Sequence, residues 1–299
     1  MGAGGNGIDR VVLLAGGLKP SPLARALGQP AVDLPLVRDS TLFSLWLRAF
    51  SGAREVRLVH HRDLPPKAEL PEAEGTKISI EADRDDFRGP AGIVRDVTED
   101  LADDALVLVV ESARFPSPSA AGMAAAHHQH RADVTLGVNP DRSPAGLFLF
   151  RRELIASVAE LGFTDLKEQW LGKLIKDGAE VRPHDLETPG CFLIRSAEAA
   201  LDAARWASEL FQSGEHPITD EQPTDAGVRV VQEGAKVDPT ARVIDSIVMN
   251  GAQVGPGAIV ARSILCPGAD IPPGAEIVGR IVGGPAQDEP ATAEAAWRS

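Results

Sequence analysis

The segments SIVMNGAQVGPGAIVA, residues 246–261, and SILCPGADIPPGAEIV, residues 263–278, repeat one pattern at an offset of 17 positions. Aliphatic residues recur in them at hexapeptide spacing, which predicts a parallel β-helix with a narrow aliphatic core. Small residues at Gly251 and Gly268 are expected to turn the corners, where a positive φ or a close backbone approach excludes bulk. The same aliphatic spacing begins further upstream, at Val231, Val237 and Val243.

Upstream of position 228 the sequence has a different pattern, in which apolar runs alternate with segments of helical spacing. The runs at Val11 to Ala15 and Ala105 to Val110 are the most apolar, and we expect them to be central strands. This alternation predicts an α/β domain with a mainly parallel sheet. Further strands are predicted over 55–60, 77–81, 133–138 and 146–150, and helices over 41–50, 119–131 and 165–177.

Composition limits the classes of partner. The net charge of −13 argues against nucleic acid, because phosphate backbones select basic surfaces. No apolar run is long enough to span a bilayer, and the N-terminal segment lacks the features of a signal peptide, so we expect a cytoplasmic protein that binds neither nucleic acid nor membrane. The cysteines, Cys191 and Cys266, fit no metal or redox spacing and are interpreted as buried thiols.

The change of pattern gives the expected organisation. We predict an α/β domain over 8–212, a polar linker over 213–227, the β-helix over 228–282, and a flexible tail over 283–299 that is rich in Pro, Asp, Glu and Ala.

Several motifs follow one another along the chain. The strand ending in Leu14-Ala15-Gly16-Gly17 is followed by Pro22-Leu23, Gln29 to Val32, Gly89 to Gly92, Ala145 to Phe150, and Phe163 to Glu168. Together with the repeats, this ordered set resembles the sugar-nucleotide pyrophosphorylases. The resemblance implies a Rossmann-like nucleotidyltransferase domain followed by a short left-handed parallel β-helix. Family members join a nucleoside triphosphate to a sugar 1-phosphate with Mg²⁺ and release pyrophosphate.

The resemblance also implies where a nucleotide would bind. In the family, the glycine loop after the first strand, a Gly-Thr-Ala-Gly loop and the end of the central strand surround the nucleotide. Open α/β sheets place ligands at the carboxyl ends of their strands, which agrees with this location. The candidate nucleotide-binding residues are Gly16, Gly17, Gly89, Ala91, Gly92 and Glu111.

The charged residues on which the family's reaction depends are absent. The reaction accumulates negative charge, so it needs Mg²⁺ held by carboxylates together with arginine and lysine side chains. The two family aspartates fall at Ala113 and Leu193, and the lysine of Pro-Lys-Pro falls at Gln29. The glycine loop is shorter and lacks its arginine, and Pro20 removes a backbone donor. The lysine that holds the sugar phosphate has no counterpart over 137–143.

These losses predict a non-catalytic homologue, without a cofactor or metal. It would act as a regulatory or scaffold subunit in sugar-nucleotide or polysaccharide metabolism and would sense a nucleotide or sugar nucleotide. Expected partners are further copies of the chain or an active homologue. The alternative is an active Mg²⁺-dependent nucleotidyltransferase with a site rebuilt from Lys19, Arg25 and Glu111, in which Glu111 would be the metal ligand. A third alternative, a β-helix acyltransferase, lacks a histidine in the repeats.

Each of these residues can also be interpreted without any role in binding or catalysis. Glu111 can be a strand-end carboxylate in water, and Lys19 and Arg25 can be solvated loop charges. His127, His128 and His130 form a His-His-Gln-His cluster, but no carboxylate or cysteine accompanies it, so an outer helix is favoured over a metal site. Helical spacing makes Trp46 a core residue.

Overall fold

The computed structural model describes the chain with six gaps. The predicted linker and tail lie almost wholly outside the described residues, and so do Gly17 and Lys19. The described residues are 7–16, 21–37, 40–67, 75–84, 88–212, 227–283 and 288–289.

The described helices and strands are numbered in chain order. The strands are β1 (Arg10–Ala15), β2 (Pro35–Val37), β3 (Ser40–Thr41), β4 (Glu55–His60), β5 (Lys77–Ala82), β6 (Leu106–Glu111), β7 (Val134–Val138), β8 (Pro144–Arg151), β9 (Val181–Asp185), β10 (Arg229–Val231), β11 (Lys236–Val237), β12 (Arg242–Ile244), β13 (Ser246–Val248), β14 (Gln253–Val254), β15 (Ile259–Ala261), β16 (Ile264–Leu265), β17 (Asp270–Ile271), β18 (Glu276–Val278), β19 (Ile281–Val282) and β20 (Asp288–Glu289). The α-helices are α1 (Pro22–Leu27), α2 (Leu42–Ala49), α3 (Gly89–Asp96), α4 (Met123–His130), α5 (Arg152–Ala156), α6 (Gly172–Lys176) and α7 (Ala197–Gln212). Short 3₁₀ turns occur at Ala31–Asp33 and Pro118–Gly122, and a π-helical segment at Leu166–Leu171.

The chain divides into two compact units. The first comprises Met1–Lys19 and Phe43–Leu193, and the second comprises Pro20–Leu42 and Ile194–Ser299. This division differs from the predicted domain boundary at residue 212, because α1, β2 and α7 belong to the second unit. Within that unit α7 packs on β2, and α1 packs on β19.

The first unit contains a seven-stranded sheet in the order β5-β4-β1-β6-β8-β7-β9. The sheet is mainly parallel, as predicted, but β8 runs antiparallel to both of its neighbours. Strand β1 lies between β4 and β6 and runs parallel to both. From β1 the chain therefore first adds strands on one side of the sheet, β4 and β5, and then on the other side, starting with β6. Such a reversal opens a crevice at the carboxyl ends of the strands.

Burial explains why the central strands could be predicted. Val12, Val107 and Val109 are fully buried, and aromatic side chains such as Phe150 and Trp170 pack in the same core cluster. Parallel strands covered on both faces carry continuous apolar runs, and the sequences of β1 and β6 do so.

The second unit contains the repeats, in which the chain visits three parallel sheets in turn. The sheets are β10-β13-β16-β19, extended by the antiparallel β20, then β11-β14-β17, and β12-β15-β18. The repeat alignment is reproduced by strand pairing, since Val254 lies beside Ile271 and Val260 lies beside Ile277. The arrangement is compatible with a parallel β-helix.

Two local features recur in successive coils of the repeats, a glycine with a positive φ and a serine that bonds to the next coil. Gly234, Gly251 and Gly268 all adopt a positive φ, of 86°, 81° and 81°, which a glycine accepts without strain. A serine at a second corner bridges adjacent coils, since the Ser246 hydroxyl accepts a hydrogen bond from the Ser263 amide at 3.1 Å. The Ser263 hydroxyl accepts in the same way from the Arg280 amide, also at 3.1 Å.

Across the described ranges, no helix combines the length and the apolar character that crossing a bilayer requires.

Candidate functional site

The candidate site lies at the carboxyl ends of β1 and β6. Glu111, the last residue of β6, pairs with Leu14 on β1. The turn that follows is fixed, because the amide and the hydroxyl of Ser112 both donate to the Leu14 carbonyl, at 3.1 and 2.9 Å. The buried Trp46 indole donates to the Ser112 carbonyl at 3.2 Å and stacks on Phe50.

Two cations hold the Glu111 carboxylate. The Arg114 Nε donates to Glu111 Oε2 at 2.7 Å, and the Lys167 ammonium pairs with Oε1. Arg114 also donates to the Cys191 carbonyl at 3.0 Å, so its guanidinium has a fixed position. The Glu111 side chain is 30% exposed, and the site is therefore open to solvent on one side.

The charge state of the cluster follows from these contacts. Burial would raise the pKa of Glu111, but the hydrogen bonds and charges of Lys167 and Arg114 outweigh it and lower the pKa below its ordinary value. Glu111 is consequently ionised at neutral pH, and one negative charge faces two positive ones. Mg²⁺ binding there would require the carboxylate to release its cations, since Mg²⁺ demands oxygen ligands at close range. Over the described ranges, no group of three or more His, Cys, Asp or Glu could hold a metal ion.

A glycine on β8 fits against this ion pair. Gly146 has a φ of +71°, in the left-handed region. A Cβ at this position would lie 2.4 Å from Arg114 Nε and 2.7 Å from Glu111 Oε2. Only glycine therefore allows β8 to approach the pair so closely.

The Gly-Pro-Ala-Gly motif begins helix α3. A Cβ on Gly89, whose φ is +68°, would lie 2.6 Å from the Thr164 carbonyl oxygen. That carbonyl accepts from the Ala91 amide at 3.1 Å, so this amide of the first turn is already engaged by the protein. Gly92 is also buried, beside the Arg88 side chain.

The segment that contacts α3 also supplies Lys167. Asp165 accepts from the amides of Lys167 and Glu168, each at 2.7 Å, and so caps the π-helical segment. One short stretch, Thr164 to Lys167, therefore joins the start of α3 to the Glu111 cluster.

The other predicted site residues are distributed as follows. Gly16 is exposed, and a Cβ there would lie 3.0 Å from the His61 amide nitrogen. Arg25 is exposed on α1 in the second unit, whereas Glu111 belongs to the first. Arg114 and Leu193 form an antiparallel bridge, which places the turn containing Ala113 beside position 193.

The sequence did not reveal Arg114, Lys167 and Gly146 as members of this cluster. The Glu-Ser-Ala-Arg spacing after β6 was the only local signal for Arg114. Nothing near Glu111 in sequence pointed to Lys167, which lies in a distant helix.

The histidine cluster belongs to the core and surface of α4. His127 is 2% exposed, and its Nδ1 lies 2.9 Å from the Thr135 hydroxyl. Burial, with a smaller contribution from His128, lowers the pKa of His127 to about 4, while His130 is exposed. Cys191 and Cys266 are buried as interpreted, and burial raises the pKa values of their thiols to about 11 and about 12.

Comparisons with known proteins find structural similarity but no sequence match. No family model matches the sequence, and no curated protein sequence matches it. The chain is similar to the inositol-1-phosphate CTP transferase from T. maritima, with 14% identity, a TM-score of 0.44, and coverage of 60% of this chain and 86% of that chain. A similarity this low assigns no function.

Proposed function

We propose that the chain is a non-catalytic homologue of the sugar-nucleotide pyrophosphorylases, with a Rossmann-like nucleotidyltransferase domain and a left-handed parallel β-helix. It acts in the cytoplasm as a regulatory or scaffold subunit in sugar-nucleotide or polysaccharide metabolism. The observation that carries this proposal is the state of Glu111, whose two carboxylate oxygens are bound by Arg114 and Lys167.

The chemistry explains why that observation matters. Nucleotidyl transfer needs a metal to neutralise charge on the attacking and leaving oxygens. By the family resemblance the metal aspartates correspond to Ala113 and Leu193, whose side chains offer no oxygen. Glu111 is the nearest replacement by sequence, and it serves as counter-ion to two internal cations. Losing one stabilising group of this kind typically costs about 3–4 kcal/mol in the transition state.

The same geometry supports a binding role better than a catalytic one. The crevice at the ends of β1 and β6 carries a net positive cluster, which suits a phosphate-bearing nucleotide or sugar nucleotide. Such a ligand would be sensed without metal, and the repeats would carry contacts to other subunits, either copies of the chain or an active homologue.

The alternative is an active Mg²⁺-dependent enzyme. It requires Glu111 to leave Arg114 and Lys167 and bind the metal, so that the two freed cations hold phosphate. Lys19 and Arg25 would complete that rebuilt site.

Pyrophosphate release distinguishes the two functions. The full-length chain is incubated with Mg²⁺, each common nucleoside triphosphate and a panel of hexose 1-phosphates, beside an active pyrophosphorylase as positive control. We expect no release above background, and a thermal shift with at least one nucleotide or sugar nucleotide that does not require Mg²⁺. Mg²⁺-dependent release that Glu111→Gln abolishes would establish the active enzyme instead.

A further inference from the structure

The sheet β12-β15-β18 has an outer face made of alternate residues of its three strands. Side chains alternate across a strand, and Val243, Val260 and Ile277 point into the core cluster. The outward residues therefore form two rows across the three strands. One row is Arg242, Ile259 and Glu276, and the other is Ile244, Ala261 and Val278.

Four of the six outward residues of this face are apolar. Val278 is 49% exposed, and Ile244, Ile259 and Ala261 are half-buried. The corresponding outward row of β10-β13-β16-β19 is buried by contrast. All of its residues are less than 9% exposed, namely Val230, Ile247, Ile264 and Ile281. One apolar outer face of the repeats is thus covered within the chain, while the other is only partly covered.

Charge of opposite sign stands at the two ends of the face. Arg242 on β12 and Glu276 on β18 are both exposed, with Ile259 between them. Over the described ranges neither of these two side chains is in an ion pair. Adjacent strands lie about 4.8 Å apart, so the two charged residues are separated by roughly 10 Å across the stack.

We propose that this face binds the same face of a second copy of the chain, about a two-fold axis that runs parallel to the strands through β15. That axis sets Arg242 of each copy opposite Glu276 of the other and Ile244 opposite Val278. Ile259 and Ala261, on the axis, each meet their own counterpart. An axis along the stack would instead set Arg242 against Ile244, so the residue pattern selects the first orientation.

The second exposed face provides a natural contrast. The outward row of β11-β14-β17 is Lys236, Gln253 and Asp270, which lacks the apolar centre. Its second row contains Gly255, which has no side chain to contribute. The inference therefore assigns pairing to one face only. It rests on the part of the proposed function in which the repeats contact other copies of the chain, and it holds whether or not the crevice binds a nucleotide.

The small area of this face sets the expected affinity of the dimer. A stable interface buries about 800 Å² per partner, more than three short strands provide. We therefore expect a reversible dimer with a Kd on the order of 10–100 µM. Sedimentation velocity of the full-length chain between low micromolar and several hundred micromolar should show the weight-average mass rising towards that of two chains.

Charge reversal tests the assigned orientation. Arg242→Glu or Glu276→Arg alone would oppose like charges at two places in the dimer, and we expect each to raise the Kd at least tenfold. The double variant should restore the wild-type Kd, which a merely structural role would not predict. Lys236→Glu and Asp270→Lys, each alone, are the matched controls on the other face and should leave the Kd unchanged.

A single cysteine tests the axis. Ile259→Cys should form an intermolecular disulfide under mild oxidation, because the axis places position 259 opposite itself. Both native cysteines are fully buried and should not react. Gln253→Cys is the control and should stay monomeric on reducing-agent-free gels.

Three results would overturn the proposal. A mass that stays monomeric at several hundred micromolar would exclude self-association. A dimer that is insensitive to both single charge reversals, or one that cross-links through position 253 and not 259, would place the contact elsewhere. Circular dichroism of each variant, with an unchanged melting temperature, confirms that the outcome reports association and not unfolding.

Discussion

The two ends of the central sheet each hold a glutamate between cations, but under different conditions. At the amino end, Arg10 on β1 is 2% exposed and binds Glu55 Oε2 at 2.5 Å and Asp100 Oδ1 at 2.6 Å. It also donates to the Val97 carbonyl at 2.6 Å. At the carboxyl end, Glu111 is 30% exposed and is held by Arg114 and Lys167.

The difference shows how burial changes the meaning of one kind of contact. Breaking a buried ion pair leaves an uncompensated charge and costs about 3–5 kcal/mol, whereas an exposed pair contributes about 0–1 kcal/mol. The Arg10 cluster therefore contributes mainly to stability. The Glu111 cluster is only partly buried, so we expect it to contribute less to stability, and it lies where open α/β sheets bind ligands.

Removing Arg10 should have the largest effect. We expect Arg10→Met to lower the free energy of unfolding by about 3 kcal/mol or more, because it leaves the buried Glu55 without its closest cation. Urea denaturation followed by circular dichroism measures the loss. Arg54→Met is the matched control, since Arg54 pairs with Asp9 at 2.9 Å but is 83% exposed, and it should change stability by less than about 1 kcal/mol. Equal losses in the two variants would contradict the role assigned to burial.

Gly146→Ala should have the second-largest effect on the free energy of unfolding. The new Cβ meets Arg114 and Glu111 at less than 3 Å, and the φ of +71° adds strain, so we expect a loss of about 2–3 kcal/mol. Gly178→Ala is the matched control, because Gly178 has a φ of +90° but no atom within 4 Å of an added Cβ. It should lose only the backbone term, about 1 kcal/mol. A larger loss at Gly178 would show that the ion pair does not constrain β8.

The loss of stability in acid tests the ion pairs at the amino end of the sheet. The pKa of Glu55 is lowered: burial would raise it, but hydrogen bonds and charges from Arg57 and Arg10 outweigh burial. A carboxyl group with a lowered folded pKa stabilises the fold above its unfolded pKa of 4.5, and this contribution is lost as the pH falls through the folded value. The difference in unfolding free energy between wild type and Arg10→Met should therefore shrink as the pH falls from 4.5 through the lowered pKa of Glu55. The part due to Asp100, whose pKa Arg10 holds well below its usual range, should persist to lower pH. A difference that does not shrink at all in acid would show that Arg10 stabilises by packing alone.

How much could be predicted from the sequence depended on the range of the interactions. The repeats carry their own register, so aligning residues 246–261 with 263–278 predicted the strand pairs that the structure contains. The apolar runs of β1 and β6 were likewise sufficient to predict buried central strands. In both places one local pattern determines the structure.

The elements that were missed depend on context. Helix α3 begins with Gly-Pro, which resembles a loop, and its first turn is completed by Thr164 from a distant segment. Strand β9 is polar and contains Pro183, which an edge strand tolerates and a central strand does not. The helix predicted from Asp165 begins with a π-helical segment instead. The Glu111 cluster could not be predicted because Lys167 reaches Glu111 only through the fold.

Neutralising Glu111 should have the smallest effect on stability. We expect Glu111→Gln to change the free energy of unfolding by less than about 1 kcal/mol, because the side chain is partly solvated and an amide oxygen can still accept one hydrogen bond. Glu55→Gln is the matched control at the buried end, since Glu55 is 7% exposed, and it should lose about 3 kcal/mol. Chemical denaturation at pH 7 measures both. A loss at Glu111 as large as that at Glu55 would make the carboxyl-end cluster a structural one. Its charges would then be committed to holding the fold, and the binding role assigned to this crevice would lose its physical basis.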